Sequence, residues 1–170
     1  MSVTNHKKNT LKNIKMGIVT ISSTRTMEND KSGAWLSKYI EKQGHTLQAY
    51  LIVPDDKDVI ISTMNSLIEE QKIQLIIFSG GTGISPYDLT IESVKPFFEK
   101  ELTSFSSIFA MLSFEQIDSA AILSRATAGI IKKTVVFCLP GSLNAVKLAC
   151  KNLIFPESGH ILKHIYEGLQ

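Results

Sequence analysis

The stretch IIFSGGTGISPYDLT, residues 76–90, decides the reading of this chain. An apolar, β-branched run ends in a serine, three glycines follow within four positions, and a lone aspartate stands just beyond them. A plain turn needs one glycine or two. Gly80, Gly81 and Gly83 together predict a backbone that a ligand approaches closely, with several N–H groups directed into one concavity that suits phosphate or carboxylate. Asp88 stands within reach of that ligand. The loop is not a Walker motif, because no Gly-Lys-Ser/Thr follows. It also departs from the dinucleotide fingerprint, because Pro86 occupies the last glycine position.

Outward from this loop, strand-like and helix-like patterns alternate. KMGIVTIS (15–22), LQAYLIV (47–53), LIIFS (75–79) and VVFCL (135–139) read as buried strands. Trp35, Leu36, Tyr39 and Ile40 recur at helical spacing between Lys31 and Gln43. A second helix starts near Asp56 and buries Ile60, Met64, Leu67 and Ile68 as one stripe. Ile91 to Phe114 reads as mostly helical, Lys132 and Lys133 as a hairpin between two apolar runs, and further helices are expected over Ala145 to Cys150 and after Pro156. The alternation predicts an α/β fold of three layers, α/β/α, with a doubly wound and mostly parallel sheet. In such sheets ligands bind beyond the carboxyl ends of the strands. Four loops leave those ends: SSTR from Ser22, PDD from Pro54, GGTG from Gly80 and PGS from Pro140.

The rest of the composition sets limits. The chain has 170 residues, enough for one domain with a full core, expected over residues 15–170 behind a flexible tail of residues 1–14. A net charge of +2 gives no ground for nucleic acid or an anionic membrane as partner. No apolar run is long enough to span a bilayer, no signal-peptide pattern opens the chain, and a cytoplasmic location is the expectation. Cys138 and Cys150 have neither CxxC nor zinc spacing and read as buried thiols.

Chemistry is concentrated in the loops. Asp55 and Asp88 each suit Mg²⁺, which takes one or two carboxylates and fills its octahedron with water and phosphate oxygens. Equally, Asp55 suits a helix cap and Asp88 a brace for the turn before Thr90. Ser142 suits a helix cap after a Pro-Gly turn, and with it a second anion site. His160 and His164 share one face of the last helix but lack the glutamate of the HExxH zinc motif, since Ile161 stands in its place, so they read as surface histidines. Phe97, Phe98, Phe105, Phe109 and Phe114 read as core or as a subunit interface.

The ordered set VTIS…NDKSG, VPDD, FSGGTGISPYDLTIES, AILSRATAG, LPGS and PESGH, covering Lys15 to His164, resembles the MoaB/Mog family of molybdenum cofactor biosynthesis proteins, and most closely its bacterial MoaB branch. The resemblance implies binding of molybdopterin and its adenylylation by Mg²⁺-ATP, releasing pyrophosphate. A non-catalytic molybdopterin carrier or assembly protein is the alternative it leaves open. It implies catalytic roles for Asp55 and Asp88, with Asp88 on Mg²⁺, and ligand contacts from Ser22, Asp30, Ser32, Gly33, Gly80, Gly81, Thr82, Gly83, Pro140, Gly141 and Ser142. Trimers or hexamers, and contact with other proteins of the pathway, are implied as well. The chain departs from the family's pattern at Ser23, Tyr87, Ile91 and the Thr103–Ser104 pair. With strand order 2-1-3, Asp55 and Asp88 leave strand ends two spacings apart, roughly 10 Å, and are expected to flank a metal–triphosphate chain rather than share one ion.

Overall fold

The computed structural model describes residues 11–167. Its core is a six-stranded sheet in the order β2-β1-β3-β6-β5-β4. The four strands β1 (Lys15–Ile21), β2 (Thr46–Val53), β3 (Leu75–Ser79) and β6 (Thr134–Leu139) run parallel. β5 (Thr127–Ile131) and the two-residue β4 (Lys100–Glu101) complete the other edge antiparallel. All five residues of β3 and all six of β6 are buried, as central strands covered on both faces should be.

Helices cover both sides. α1 (Lys31–Lys42), α4 (Thr103–Ile117), α5 (Leu143–Ala149) and α6 (Phe155–Glu167) lie over one face, where Leu36, Ile40, Phe105, Phe109, Val146 and Leu162 meet Ile18, Ile77 and Phe137 of the sheet. On the other face α2 (Lys57–Glu69) buries Ile60, Met64, Leu67 and Ile68, the predicted stripe, against Val19, Ile76 and Phe78. Val94 of the short α3 (Thr90–Val94) joins that layer. The three-layer, doubly wound architecture is the one expected from the alternation of patterns. Among the described residues no helix is long and apolar enough to cross a membrane.

Three local differences have physical causes. The segment read as helical from Ile91 onward is broken: Pro96 ends α3 in a 3₁₀ turn (Lys95–Phe97), and Lys100 and Glu101 pair with β5 before α4 begins. The last helices are not separated by Pro156. A π-helical turn (Cys150–Ile154) joins α5 to α6, and Pro156 lies in the first turn of α6, where its missing N–H is tolerated. The folded part also starts before Lys15. Ile14 is fully buried, and its carbonyl accepts from the Thr46 amide at 3.0 Å. Residues 1–10 of the predicted tail lie outside the described residues. The hairpin at Lys132–Lys133 forms as read, with Lys132 at φ 55° in the left-handed region.

Candidate functional site

The four loops leave the carboxyl ends of β1, β2, β3 and β6, which are neighbours in the sheet. Backbone bonds knit them where they emerge: the Ser22 amide donates to Val53 and the Gly80 amide to Leu139, each at 2.9 Å. Gly80 (φ 108°) and Gly81 (φ 61°) then turn the chain through the left-handed region. The turn is fastened from behind by Thr90. Its hydroxyl donates to the Gly80 carbonyl at 2.7 Å, its amide donates to the Gly81 carbonyl at 2.9 Å, and the residue is fully buried.

Both sequence-predicted carboxylates lie against this turn. Asp55 bends back toward it although β1 separates its strand from β3. Its Oδ1 lies 3.4 Å from where a Cβ on Gly81 would stand, while Oδ2 accepts from the Ser23 amide and hydroxyl, both at 2.8 Å. Ser23 therefore orients Asp55. Asp88 Oδ2 accepts from the Ser85 amide at 2.8 Å and lies 2.7 Å from the position of a Gly83 Cβ, so only glycine leaves room for the carboxylate there. Each aspartate keeps lone pairs beyond these bonds, and each is half-buried. Asp56, not Asp55, caps α2, accepting from the amides of Asp58 and Val59.

A second cluster is built around Asp30, at the start of α1. This carboxylate is buried, 1% exposed, and caps α1 by accepting from the Gly33 amide at 3.0 Å. Thr20 (2.5 Å) and Tyr50 (2.8 Å) donate to its other oxygen, and Arg25 lies at 3.5 Å. Burial alone pushes the Asp30 carboxyl up. The donors Thr20, Gly33 and Tyr50, with the Arg25 charge, reverse this and hold it below the usual carboxylate range. The Tyr50 phenol is pushed up by its burial and by the Asp30 carboxylate. Ser32 is also buried, and its hydroxyl donates to the Gly141 carbonyl at 2.8 Å. Ser22 accepts from the amides of Thr24 and Arg25, and Ser142 caps α5 by accepting from Ala145 at 3.2 Å. Thr82 is buried, and Pro140 is half-buried at the start of its loop.

Two arginines not singled out in the sequence hold these loops. Arg25 Nη2 donates to the Gly141 carbonyl at 2.9 Å, tying the β1 loop to the β6 loop. Its Nη1 is buried without a hydrogen-bond partner. Arg125 Nε donates to the carbonyls of both Thr82 and Gly83 at 2.9 Å, and its Nη1 pairs with Glu92 at 2.6 Å. That hydrogen bond, first, and the guanidinium charge hold the Glu92 carboxyl below its usual range despite some burial. Their sequence signal was faint: Arg125 stands in AILSRATAG and Arg25 in SSTR, but their contacts lie 42 and 116 residues away.

Other candidates fall outside the crevice. His160 and His164 meet across one turn of α6, Nε2 to Nε2, at 2.9 Å, and His160 also approaches Glu157. No group of three or more metal-ligating side chains occurs among the described residues. Cys138 and Cys150 are buried and free, and burial pushes both thiols up. A hollow of about 400 Å³ lies at the opposite ends of β3 and β6, lined by Ile73 and Thr134, and no crevice residue borders it.

A doubly wound α/β domain with a glycine loop flanked by two carboxylates, at the carboxyl ends of parallel strands, belongs to the class of open α/β proteins whose ligand crevice lies at those strand ends. Within that class, the model of the probable molybdopterin binding domain matches residues 17–160, and the chain belongs to this family, in the MoaB/Mog group of molybdenum cofactor biosynthesis proteins. The chain is 45% identical over 166 residues to molybdenum cofactor biosynthesis protein B of Bacillus subtilis, covering 97% of this chain and 98% of that one. It is 42% identical to the molybdopterin adenylyltransferase of Pyrococcus furiosus, over 98% of this chain and all of the relative. A crystal structure of molybdenum cofactor biosynthesis protein B superposes with a TM-score of 0.89 at 43% identity, over 92% of this chain and 98% of that chain. The chain is a molybdenum cofactor biosynthesis protein.

Proposed function

We propose that this protein adenylylates molybdopterin with Mg²⁺-ATP. The observation that carries the proposal is the placement of Asp55 at Gly81 and Asp88 at Gly83, two carboxylates with spare lone pairs on one glycine turn. Relatives named molybdopterin adenylyltransferase, at 42% identity, and "probable molybdopterin adenylyltransferase", at 41%, support it. Asp88 and Asp55 fit a hard cation that takes most of its ligands from phosphate and water, as Mg²⁺ does. Asp88 would hold the ion, and the ion would neutralise charge on the transferring phosphoryl group. The two arginines are already engaged with carboxylates, Arg25 with Asp30 and Arg125 with Glu92. A cation brought with the nucleotide therefore suits the crevice.

The chain's own contribution is alignment. The Gly80 amide is committed to Leu139, so the cradle falls to the amides that follow it. Arg125 holds the carbonyls of Thr82 and Gly83. In planar trans peptides this turns the N–H groups of Gly83 and Ile84 away from the guanidinium and fixes them for a phosphate. Ser22 after β1, Asp30, Ser32 and Gly33 at the start of α1, and Pro140, Gly141 and Ser142 after β6 would supply the remaining ligand contacts. An oxygen of the pterin phosphate then forms a bond to the α-phosphorus of ATP as the bond from that phosphorus to the β-phosphate bridging oxygen breaks. Pyrophosphate leaves with that electron pair. The nucleophile is already ionised near neutral pH, so positioning and charge neutralisation suffice.

The same proposal includes a cytoplasmic location and a homo-oligomer on three-fold symmetry. α4 buries Phe105 and Phe109 but leaves Ile108, Met111, Phe114 and Ile117 from 40% to 57% exposed. Light scattering at micromolar concentration is expected to give a multiple of three chains, and a monomer would contradict it. The deciding experiment for function combines the protein with molybdopterin and Mg²⁺-ATP and asks whether AMP becomes joined to the pterin. Bound pterin with ATP left intact would establish a carrier instead.

A further inference from the structure

The segment between Gly83 and Asp88 combines a pinned backbone with uncovered side chains. Asp88 Oδ2 accepts from the Ser85 amide at 2.8 Å, the Asp88 amide donates to the Ser85 carbonyl at 2.9 Å, and the Ser85 hydroxyl accepts from the Tyr87 amide at 3.3 Å. Pro86 fixes one more dihedral in the same turn. Yet Tyr87 is 77% exposed and Ile84 70% exposed, whereas Thr82, two residues earlier, is 2% exposed. A turn braced by three hydrogen bonds thus presents a phenol ring and a sec-butyl group to solvent, immediately beside a candidate catalytic carboxylate. The other large exposed apolar groups from Phe97 onward belong to the 3₁₀ turn after α3, to α4 and to the 3₁₀ turn that follows it.

We infer that Tyr87, with Ile84 beside it, is the specificity-determining platform on which the flat heteroaromatic ring of a phosphorylated ligand stacks. The inference rests on the proposal that the glycine turn holds that ligand's phosphate. Ile84 to Tyr87 follow the Gly81–Gly83 turn directly in the chain and are all exposed, and they are the surface assigned here to the ring of a ligand whose phosphate sits on that turn. Planar bicyclic rings pair with a tyrosine face by offset stacking, and an aromatic held on a fixed turn gives that contact at little conformational cost. The phenolic hydroxyl is not needed for such stacking. Two rings share this chemistry, the pterin and the adenine of ATP, and binding distinguishes them.

The test uses the full chain as wild type, Tyr87→Ala and Tyr87→Phe, with titration calorimetry against molybdopterin, Mg²⁺-ATP and Mg²⁺-pyrophosphate. Stacking of a base is lost about tenfold on truncation to alanine. Tyr87→Ala is expected to weaken one ring-bearing ligand by about that factor, to leave pyrophosphate and the melting temperature unchanged, and Tyr87→Phe to bind as wild type. The weakened ligand identifies the stacked ring. Wild-type affinity of Tyr87→Ala for both ring-bearing ligands would overturn the inference while leaving the adenylylation proposal standing. So would an equal loss for pyrophosphate, which would make Tyr87 a support for the turn. A smaller oligomer on Tyr87→Ala with unaltered ligand affinity would assign the ring to a second copy of the chain, also against the inference. Wild type that binds none of the three ligands would defeat the functional proposal itself, and the stacking with it.

Discussion

Two carboxylate regions lie near the carboxyl ends of the parallel strands, and their environments are opposites. Asp30 is buried, caps a helix and receives hydrogen bonds from Thr20, Tyr50 and the Gly33 amide, with Arg25 adding charge. Its oxygens are used up inside the protein. Asp55 and Asp88 are half-buried, each braced on one oxygen by a neighbouring serine and pressed against a glycine of the turn. On the proposed function, one residue type serves two purposes here. A carboxylate whose acceptors are all filled sets architecture, and one left half-filled on an open loop is available to a ligand.

Substitutions should separate the regions by what they damage. The largest loss of stability is expected from Asp30→Ala, which strands two hydroxyls, an amide and a guanidinium edge. About 3 kcal/mol should disappear from the urea unfolding free energy, as for other broken buried pairs. Gly83→Ala should cost less, about 1 kcal/mol, because the Asp88 side chain can swing aside. The displaced carboxylate should nonetheless lower adenylylation, so activity falls more than the melting curve does. The acid limb comes next. Asp30 has a folded pKa below its unfolded value, so its stabilisation is complete above the unfolded carboxylate pKa of about 3.9 and is lost as pH falls through the lower folded value. Urea midpoints should show an Asp30-dependent decline confined to pH below about 4 and absent from Asp30→Asn. The smallest effect belongs to Glu92→Gln. Its ion pair with Arg125 is partly exposed on both sides, so less than about 1 kcal/mol should be lost, measurable in the same titration.

The sequence revealed the fold through its buried strands. LIIFS and VVFCL are short β-branched and aromatic runs between polar loops, and both became central strands. The glycine turn was legible for a similar reason, since three glycines so close together have few plain structural uses. What stayed hidden depended on distance in the chain. Asp30 stands in a motif beside a helix start, and nothing local says that Thr20 and Tyr50 close over it. Arg125 looks like any loop arginine until the fold brings it to Thr82 and Gly83. β4 escaped notice because two residues carry no periodicity, and the junction before Pro156 because a π turn has no simple sequence mark.

On the proposed function, Asp88 acts on the transferring phosphate and Asp30 does not. Single-turnover adenylylation by Asp88→Asn, measured beside its melting curve and a pterin titration, tests it most directly. The substitution keeps the shape and removes the charge. A rate lower by roughly a thousandfold is expected, about 4 kcal/mol at about 1.36 kcal/mol per decade, with folding and pterin affinity intact. An unchanged rate would contradict the account, and a collapsed melting curve would make Asp88 a second Asp30.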